Sequence, residues 1–392
     1  MGDLLINNVR VMQPGRGIIG DSLRISNGKV SVDDAPVEST EIIDGGGRLL
    51  TPGLIDLHTH GLHHHLYEAS PEELVNCAGL LGRYGTTTAL PTLYTVMKRD
   101  SLKKVEALAE AMASVDTACL PGFHMEGPFL KITGAGADTI PGDVGLLKEL
   151  LAASGDRVTA MSISPDTANI IPVIEYLTER GVVSFITHTK ASPEQTAAAI
   201  EAGARHATHF YDVFPLPEET DPGARPVGAV ETILADARCT VDFIADGVHV
   251  HPMAIRAAFA AKGTEGVCLI TDSNIGAGLP AGVYESPWGY PIRTAPGRAA
   301  RMERPGHKLH GVLAGSALTM NEGIANLRRW LDIPDDQVWA MGTTNPARAA
   351  RLPDKGHLQP GADADLVLWD EDNNGRFTAN RTWVGGRCVF SR

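Results

Sequence analysis

Two histidines separated by one residue, His58 and His60, end a short apolar run in the stretch IDLHTH. In an extended strand, residues two apart point to the same face, so this spacing aims both imidazoles at one place. Imidazole is a common ligand of divalent metal ions, and the pair is therefore predicted to supply two ligands to one such ion. Three more histidines follow, from His63 to His65. They lie beyond the run, and we interpret them as part of a solvent-exposed loop.

Further residues of metal-ligand type follow other apolar runs of the chain: Glu126, His188, His209 and Asp272. A single histidine or aspartate in such a place is more often a hydrogen-bonded structural residue or the cap of a loop. All six together favour a metal site, because imidazoles combined with carboxylates suit zinc, iron or manganese better than magnesium or calcium. We expect one or two divalent ions, with zinc preferred and iron or manganese as alternatives.

The runs that carry these residues belong to a repeating pattern. From residue 54 onward, apolar segments of strand character alternate with helical stretches rich in alanine and leucine, which is typical of a parallel sheet. We predict eight strands, LIDLHTH, TTTALPT, GFHMEG, RVTAMSIS, VVSFITH, HATHFY, TVDFIAD and VCLITDS, and helices that include residues 71–83, 101–115, 167–180, 193–203 and 252–262. Eight such units predict an α/β fold, a distorted (β/α)8 barrel of the TIM type. All strand ends then open on one face, where the six residues would meet.

Both chain ends have β character instead. Residues 1–50 contain short β-rich pieces separated by turn residues, and ADLVLWD and RTWVGGRCVF near the other end read as strands. We expect a small β-sandwich domain formed by residues 1–50 plus 355–392, and a metal-dependent hydrolase barrel over residues 51–354. The Gly- and Pro-rich residues 276–312 are predicted to form a long excursion, either a lid over the site or an irregular surface loop. The stretch GSALTM that follows is expected to open a helix, with Ser316 as its cap.

The composition limits the functions available to the chain. Its 392 residues include 34 Lys and Arg against 47 Asp and Glu, a formal charge of −13, and such an acidic surface repels nucleic acid and anionic lipid. No segment has the roughly 18 uninterrupted apolar residues of a membrane span, and the first residues lack a secretion signal. The five cysteines form no C-x-x-C pair, which suits a reducing compartment. We expect a cytoplasmic enzyme that acts on a small molecule, with no nucleic-acid or membrane partner.

These motifs resemble a known family. TPGLIDLHTHG is similar to the opening strand of the amidohydrolase superfamily, while HMEGPFL, ADGVHV and GSALTM are particular to its N-acetylglucosamine-6-phosphate deacetylases. The resemblance spans nearly the whole chain and implies a metal-dependent amide hydrolase that removes the acetyl group from an N-acetylated amino sugar, N-acetylglucosamine-6-phosphate or a close analogue. The same chemistry leaves open another amide, such as an N-acyl amino acid or a cyclic amide, or a deaminase. A non-catalytic barrel is disfavoured, because all six positions are intact.

The resemblance assigns metal-binding roles to five residues. It implies that Glu126, His188 and His209 hold the principal ion, and that His58 and His60 form a second site that some members keep and others have lost. Relatives often bridge two ions with a modified lysine after the fourth strand, but that strand here runs MSISP without a lysine. Glu126 is therefore the expected bridge, with the choice between one ion and two left open.

The resemblance also implies roles in the reaction and in substrate binding. Asp272 resembles the family's general base, which takes a proton from water and returns it to the departing amine. His249 in the stretch DGVHV resembles a histidine that binds substrate. The family relationship makes a homodimer the expected assembly, because subunits can complete each other's pocket.

The chain departs from the family pattern at positions that contact substrate. Ala137 lies in the stretch LKITGAGADTIP, where the family usually places a side chain that reaches the substrate. Asp212 stands where the family has an asparagine beside the phosphate, and like charges about 4 Å apart repel by several kcal/mol in a partly buried site. Arg225 resembles the family's phosphate-binding arginine, although it lies a few residues off the expected position. It could equally bind the carboxylate of an N-acyl amino acid.

Overall fold

The structure, a computed structural model, describes residues 3–31, 40–94, 97, 99–134, 139–219 and 221–392. The strands are β1 (Leu4–Gln13), β2 (Gly17–Gly20), β3 (Leu23–Ser26), β4 (Lys29–Ser31), β5 (Glu41–Pro52), β6 (Leu54–Thr59), β7 (Gly61–Leu62), β8 (His65–Leu66), β9 (Thr86–Leu93), β10 (Phe123–Glu126), β11 (Val158–Ile163), β12 (Val183–Ile186), β13 (His206–Ala207), β14 (Thr240–Ile244), β15 (Val267–Ile270), β16 (Gly282–Tyr284), β17 (Ile292–Thr294), β18 (Ala299–Met302), β19 (Leu313–Ser316), β20 (Leu366–Glu371), β21 (Phe377–Val384) and β22 (Arg387–Ser391). The α-helices are α1 (Pro71–Leu81), α2 (Leu102–Ala113), α3 (Val144–Ala153), α4 (Ile170–Glu179), α5 (Pro193–Ala202), α6 (Ala229–Ala235), α7 (Pro252–Lys262), α8 (Met320–Trp330), α9 (Asp335–Met341) and α10 (Thr344–Ala349). Across these ranges, no helix is both long enough and apolar enough to cross a bilayer.

The centre of the molecule is a parallel barrel. Among the described residues, β6 and β9 to β15 form one sheet of eight strands, paired in chain order. Its outer strands meet at their carboxyl ends, where the Asp272 N–H donates to the His58 carbonyl oxygen at 2.8 Å and the His60 N–H donates to that of Ser273 at 2.9 Å. The sheet is therefore nearly closed. The predicted (β/α)8 barrel is confirmed, and each of the eight predicted strands is one of its members.

The barrel strands are covered on both faces. Every residue of β6 and of β9 is buried, which explains why these strands read as continuous apolar or threonine-rich runs and not as alternating ones. The five helices predicted from the sequence form as α1, α2, α4, α5 and α7, and α3 and α6 join the same outer layer. Helix α5 begins after Ser192, whose hydroxyl accepts the Gln195 N–H while the Gln195 side chain accepts the Ser192 N–H. This reciprocal cap sets the start of the helix after the fifth barrel strand.

The two chain ends form a second sheet. In the described part of the chain its strands follow the order β22, β21, β20, β5, β1, β3 and β4, with β2 paired to β1. The sheet curls back on itself, because the Val30 N–H donates to the Ala362 carbonyl oxygen and the Gly361 N–H donates to that of Val30, each at 2.9 Å. Side chains from both ends of the chain, including Ile6 and Trp383, share one buried core inside the curl. The predicted β domain made from both termini is confirmed.

The segment after the barrel is more ordered than the sequence suggests. Strands β16 to β19 form a four-stranded antiparallel sheet with its own small core, where an excursion without strands is the expectation. The expectation that Ser316 caps a helix is wrong. Ser316 lies in β19, and its hydroxyl donates to the Thr271 carbonyl oxygen at 2.6 Å. Helix α8 begins later, after Thr319, whose N–H and hydroxyl both donate to Glu322.

Candidate active site

The carboxyl ends of five barrel strands carry the six predicted residues, and the structure brings all six together. His58 and His60 lie at the end of β6, Glu126 is the last residue of β10, and the others follow β12, β13 and β15: His188, His209 and Asp272. All six side chains are buried. Residues more than 200 positions apart in the chain therefore share one site at the mouth of the barrel.

Glu126 lies at the centre of this cluster. Its Oε2 atom is 3.6 Å from His58 Nε2 and 3.3 Å from His60 Nε2. Its Oε1 atom is 3.2 Å from His188 Nε2 and 3.4 Å from His209 Nε2. One carboxylate thus presents a different oxygen to each of two histidine pairs, which is the arrangement expected of a bridge between two ion positions.

Asp272 completes the side of the cluster that contains the H-x-H pair. Its Oδ1 atom is 3.2 Å from His60 Nε2 and 3.7 Å from His58 Nε2. Among the residues that the structure describes, two sets of three have ligand atoms within 4.8 Å of one another: His58, His60 and Asp272, and His58, Glu126 and His209. His188 contacts Glu126 but belongs to neither set. The donors are imidazole nitrogens and carboxylate oxygens, which suit a divalent transition metal.

Three of the site residues have an unusual backbone conformation. The φ angles of His188, His209 and Asp272 are 49°, 34° and 46°, in the left-handed region that residues other than glycine seldom adopt. The turn at Asp272 is held by the Ser316 N–H, which donates to the Asp272 carbonyl oxygen at 2.7 Å. A Cβ atom at Gly315 would lie 2.7 Å from that same oxygen, so only glycine fits beside it. Such strain concentrates where function requires it.

The outer nitrogens of the histidines are held to different degrees. The Nδ1 atom of His188 is 3.0 Å from the Ile132 carbonyl oxygen, and that of His209 is 3.3 Å from the Asp212 carbonyl oxygen. A carbonyl can only accept, so both Nδ1 atoms donate, and each Nε2 atom offers its lone pair to a metal ion once its own proton has left. His58 Nδ1 instead contacts the Thr208 hydroxyl at 3.0 Å. Within the described residues, His60 Nδ1 is buried without a hydrogen-bond partner.

A buried layer beneath the cluster supports its backbone. Asp242 Oδ1 accepts the His209 N–H at 2.5 Å, and Asp242 Oδ2 is 2.8 Å from His206 Nε2. His124 lies 4.6 Å from His58 between ring centroids, but both of its nitrogens are engaged, by the Leu57 carbonyl and by Ser162. We therefore assign His124 a structural role. Neither His124 nor Asp242 can be recognised from the sequence, because core polar residues of barrel strands carry no spacing signal of their own.

The pKa values in the cluster reflect charges placed close together. Burial lowers the pKa of His60, but hydrogen bonds to Asp272 and Glu126 outweigh burial and raise it to about 10. Burial lowers the pKa of His209 as well, and Glu126 raises it to about 9. For Glu126, burial raises the pKa, whereas the imidazoles around it hold the value well below the usual range. An incoming metal ion would displace protons from these imidazoles, which makes its binding depend on pH.

A cavity of about 310 Å³ lies over the cluster. Beside His60 its lining includes the rings of Tyr94 and Trp288, whose centroids are 5.1 Å apart. Trp288 belongs to the segment after the barrel, and its Nε1–H donates to Glu68 Oε1 at 2.8 Å. Residues 312–315 of the same segment also line the cavity. Residues 276–312 are expected to form either a lid over the site or an irregular surface loop, and these contacts favour the lid.

The structure places two of the predicted substrate-binding residues in the cavity lining and a third outside it. Asp212 and His249 both line the cavity, and His249 Nδ1 lies 2.7 Å from Asp246 Oδ2. Arg225 is outside it: its side chain is 69% exposed and its guanidinium lies 2.7 Å from Glu231. Ala137 lies outside the described residues, so its predicted contact stays a prediction.

The histidine-rich stretch after β6 stays apart from the cluster. His63 Nε2 is 2.7 Å from the Tyr84 hydroxyl, and His65 Nδ1 is 2.7 Å from Glu73. His64 is exposed. None of these three histidines belongs to either of the two ligand sets found in the described ranges.

Comparison with known proteins gives consistent matches over nearly the whole chain. Residues 49–389 match the model of the amidohydrolase family. The chain is 30% identical over 378 residues to the N-acetylglucosamine-6-phosphate deacetylase of Lysinibacillus sphaericus, covering 94% of each protein. It is 31% identical over 383 residues to the N-acetylglucosamine-6-phosphate deacetylase of Bacillus subtilis (strain 168), covering 94% of this chain and 93% of that protein. The crystal structure of N-acetyl-D-glucosamine-6-phosphate deacetylase from Mycobacterium smegmatis has a TM-score of 0.83 and 27% identity, covering 100% of both chains.

Proposed function

We propose that this chain, which belongs to the amidohydrolase family, is a metal-dependent deacetylase that removes the acetyl group from an N-acetylated amino sugar, N-acetylglucosamine-6-phosphate or a close analogue. The observation that carries the proposal is the Glu126 carboxylate, which presents one oxygen to each of two histidine pairs at 3.2–3.6 Å. The relatives named above, all N-acetylglucosamine-6-phosphate deacetylases, support the choice of reaction.

The side chains around Glu126 fit one or two divalent ions. Imidazole nitrogens and carboxylates are the donors that zinc, iron and manganese prefer. His188 and His209 would hold one ion and His58 and His60 a second, with Glu126 shared between them. When bound, such an ion supplies Lewis acidity that activates water and polarises an amide carbonyl.

Asp272 is the residue we propose as general base. Its carboxyl group lines the cavity and lies within the cluster, 3.2 Å from His60. Burial raises the pKa of Asp272, but the hydrogen bond to His60 and the neighbouring imidazoles hold the pKa below its usual value. The carboxylate is therefore ionised at neutral pH and able to accept a proton from water. It then returns that proton to the amine, which leaves poorly as an anion.

His249 is the residue we propose to orient the sugar. Its Nδ1–H donates to Asp246, which fixes the ring and leaves Nε2 available to a substrate hydroxyl. The cavity volume of about 310 Å³ lies at the lower end of the range of about 300–1,000 Å³ seen for small-molecule sites, which suits a single sugar.

Four finer points belong to the proposal. Zinc is the preferred ion, with iron or manganese as alternatives. A reducing, cytoplasmic location is supported by the five free cysteines. A homodimer is supported by the exposed apolar side chains of Leu216 and Val227, in the segment that follows the cavity-lining residues Asp212 and Val213. The division into a terminal domain of residues 1–50 plus 355–392 and a barrel of residues 51–354 is supported by the two separate sheets.

Acetate release is the experiment that tests this function. Enzyme of known metal content would be assayed with N-acetylglucosamine-6-phosphate, N-acetylglucosamine, an N-acyl amino acid and a hydantoin. We expect acetate from an amino sugar, lost on chelation and restored by zinc. Turnover of only the amino-acid amide or the hydantoin would keep the hydrolase chemistry and refute the sugar.

A further inference from the structure

A second cavity, of about 720 Å³, lies at the other end of the barrel from the metal cluster. Residues of α10 form one of its walls. Just before this helix, the Gly342 carbonyl oxygen accepts the N–H of Ile55, near the start of β6, at 2.9 Å. Within the helix, Asn345 Nδ2 donates to the carbonyl oxygen of Val267, the first residue of β15, at 2.7 Å. Helix α10 therefore covers the amino ends of barrel strands, away from the mouth where a dimer partner would complete the active site.

The terminal domain supplies the facing walls of this cavity. They are formed by residues 13–16, at the turn between β1 and β2, and by residues from the segment 353–359. The turn is fixed to the barrel side, because the Gly15 N–H donates to the Asp336 carbonyl oxygen of α9 at 3.1 Å. The cavity is thus a defined space between the two domains.

Positive charge predominates in the lining. Four lining side chains carry a full positive charge: Arg16, Arg348, Arg351 and Lys355. Among the described residues, Glu265 is the only acidic one in the lining, and it lies 2.9 Å from Arg348. Lys355 is likewise paired, with Asp365 at 2.7 Å. Two of the four cations are therefore already balanced by carboxylates.

The other two cations, Arg16 and Arg351, are left unbalanced. Both are exposed, and neither forms an ion pair with any residue in the described ranges. Two like charges that line one cavity repel each other, so an anion between them is stabilised. The planar guanidinium group binds the oxygens of a phosphate in pairs, which makes phosphate the anion that two arginines suit best.

A buried amide adds a hydrogen-bond donor of the same preference. Gln13 lines the cavity and is only 4% exposed. Its Oε1 atom accepts the Leu358 N–H at 2.8 Å, which identifies the remaining end of the side chain as the NH2 group. In the part of the chain that the structure describes, this Nε2 atom has no acceptor. A buried donor without a partner favours a ligand rich in acceptor oxygens.

The size and the apolar part of the lining indicate an organic ligand. Pro14, Leu352 and Pro353 contribute apolar surface to the cavity. The volume lies within the range of about 300–1,000 Å³ seen for small-molecule sites. Inorganic phosphate alone would leave most of this space unfilled.

We propose that the cavity between α10 and the terminal domain binds a phosphorylated organic molecule, with Arg16, Arg351 and the Gln13 amide on the phosphate. This site is separate from the metal cluster and does not depend on the proposed deacetylase function.

Calorimetric titration tests the site. AMP, glucose 6-phosphate and inorganic phosphate serve as probes, with adenosine and glucose as counterparts that lack the phosphate. We expect wild-type protein to bind AMP or glucose 6-phosphate with a Kd below about 1 mM, and to bind adenosine and glucose far more weakly. The double variant Arg16→Gln, Arg351→Gln should weaken that binding by at least about tenfold, because two charge-assisted hydrogen bonds are lost.

A matched double variant controls for the change of net charge. Arg157 and Arg256 are exposed and do not line the cavity, so Arg157→Gln with Arg256→Gln should leave binding unchanged. Exposed substitutions of this kind change stability little, and Tm of all variants should stay close to that of the wild type. The single variant Arg16→Gln decides the matter if the double variant unfolds.

Three results would overturn the proposal. The first is that neither organic phosphate binds wild-type protein. The second is equal binding by the wild type and the Arg16, Arg351 variant, as expected for a phosphate held at the metal cluster instead. The third is inorganic phosphate binding as tightly as the organic phosphates, which refutes an organic ligand. Because no turnover is measured, each result leaves the deacetylase function standing.

Discussion

The two faces of the Glu126 carboxylate are built differently. On the Oε1 face, His188 and His209 are oriented by backbone carbonyls, and the His209 backbone is held by the buried Asp242. On the Oε2 face, His58 is oriented only by a threonine hydroxyl, and His60 Nδ1 has no partner among the described residues.

The difference indicates that the histidines on the Oε1 face are oriented to bind an ion, whereas the Oε2 face carries the residue proposed to act in the reaction. Contacts that orient the outer nitrogen of a histidine raise its affinity for a metal ion, typically by 10- to 100-fold. The Oε1 face is therefore the better prepared ion site, in agreement with the principal site implied by the family resemblance. The Oε2 face carries Asp272, the proposed base, and places it against His60. We expect the tighter ion on the Oε1 face.

Removing the shared carboxylate should have the largest effect, because it affects both faces. Glu126→Gln keeps the shape of the side chain but loses the charge between four imidazoles. We expect loss of most bound metal and a fall in kcat/KM of at least about 10³-fold, since the ion supplies several kcal/mol of transition-state stabilisation. Elemental analysis and acetate release check this. Glu110→Gln, an exposed substitution on α2, is the control; retention of metal and activity by Glu126→Gln would refute the bridge.

Removing the base should impair reaction without affecting binding. Asp272→Asn keeps the left-handed backbone, which asparagine tolerates, and removes the proton acceptor. We expect a fall in kcat of about 10²- to 10⁴-fold, with unchanged metal on the Oε1 face and unchanged substrate affinity. Steady-state kinetics and calorimetry measure the two quantities. A variant with normal kcat would assign the base elsewhere.

Substituting one histidine on each face tests directly whether the two faces bind an ion with different affinities. His188→Asn should lose the tightly held ion, whereas His58→Asn should keep it and lose at most a weaker one. Competition with a chelator gives the two affinities, and we expect them to differ by about tenfold or more. Equal losses in both variants would show that the faces do not differ as binding sites.

Substituting Asp242, which lies beneath the Oε1 face, should lower metal affinity by less than the substitution of His188 does. Asp242→Asn loses the charge that accepts the His209 N–H and faces His206. We expect metal affinity to fall by about 10- to 100-fold with little change at the Oε2 face. Because Asp242 is fully buried, thermal unfolding must be measured beside affinity. If zinc binding stays normal while stability falls, Asp242 supports the barrel alone.

The effect of pH should be the smallest. In metal-free protein the pKa values of His60 and His209 are raised from 6.5 to about 10 and about 9. Raised pKa values mean that the folded chain binds protons more tightly than the unfolded chain. The stability they contribute is complete below about pH 6.5 and is lost as pH rises through 9 to 10. We expect Tm after chelation to fall by a few degrees from pH 7 to 10, and His60→Asn to reduce that fall. An unchanged slope in this variant would contradict the assignment.

The fold and the metal cluster can be predicted from the sequence for a physical reason. Barrel strands are buried on both faces, so they stand out as apolar runs, and ligand-type residues at their ends must share one mouth. The sheet of β16 to β19 cannot be found in this way, because its strands are only three or four residues long and are spaced by glycine and proline.

The limits of prediction at the site have a different cause. The exposure of Arg225 depends on the path of a loop, and no spacing rule reports that path. The roles of Trp288 and Asp242 depend on contacts between distant segments, Trp288 with Glu68 and Asp242 with His209. Their residue types alone are equally compatible with an ordinary core or surface position.

The left-handed backbones of His188, His209 and Asp272 place activity and stability in opposition. Each such conformation costs on the order of 1–3 kcal/mol in a residue with a side chain, and glycine would relieve that cost. Glycine variants at these positions should therefore be inactive, and they should lose less stability than removal of a buried, hydrogen-bonded side chain alone would cost. A stabilised version of this enzyme is accordingly better sought by substitutions outside these three turns, with turnover selected at the same time.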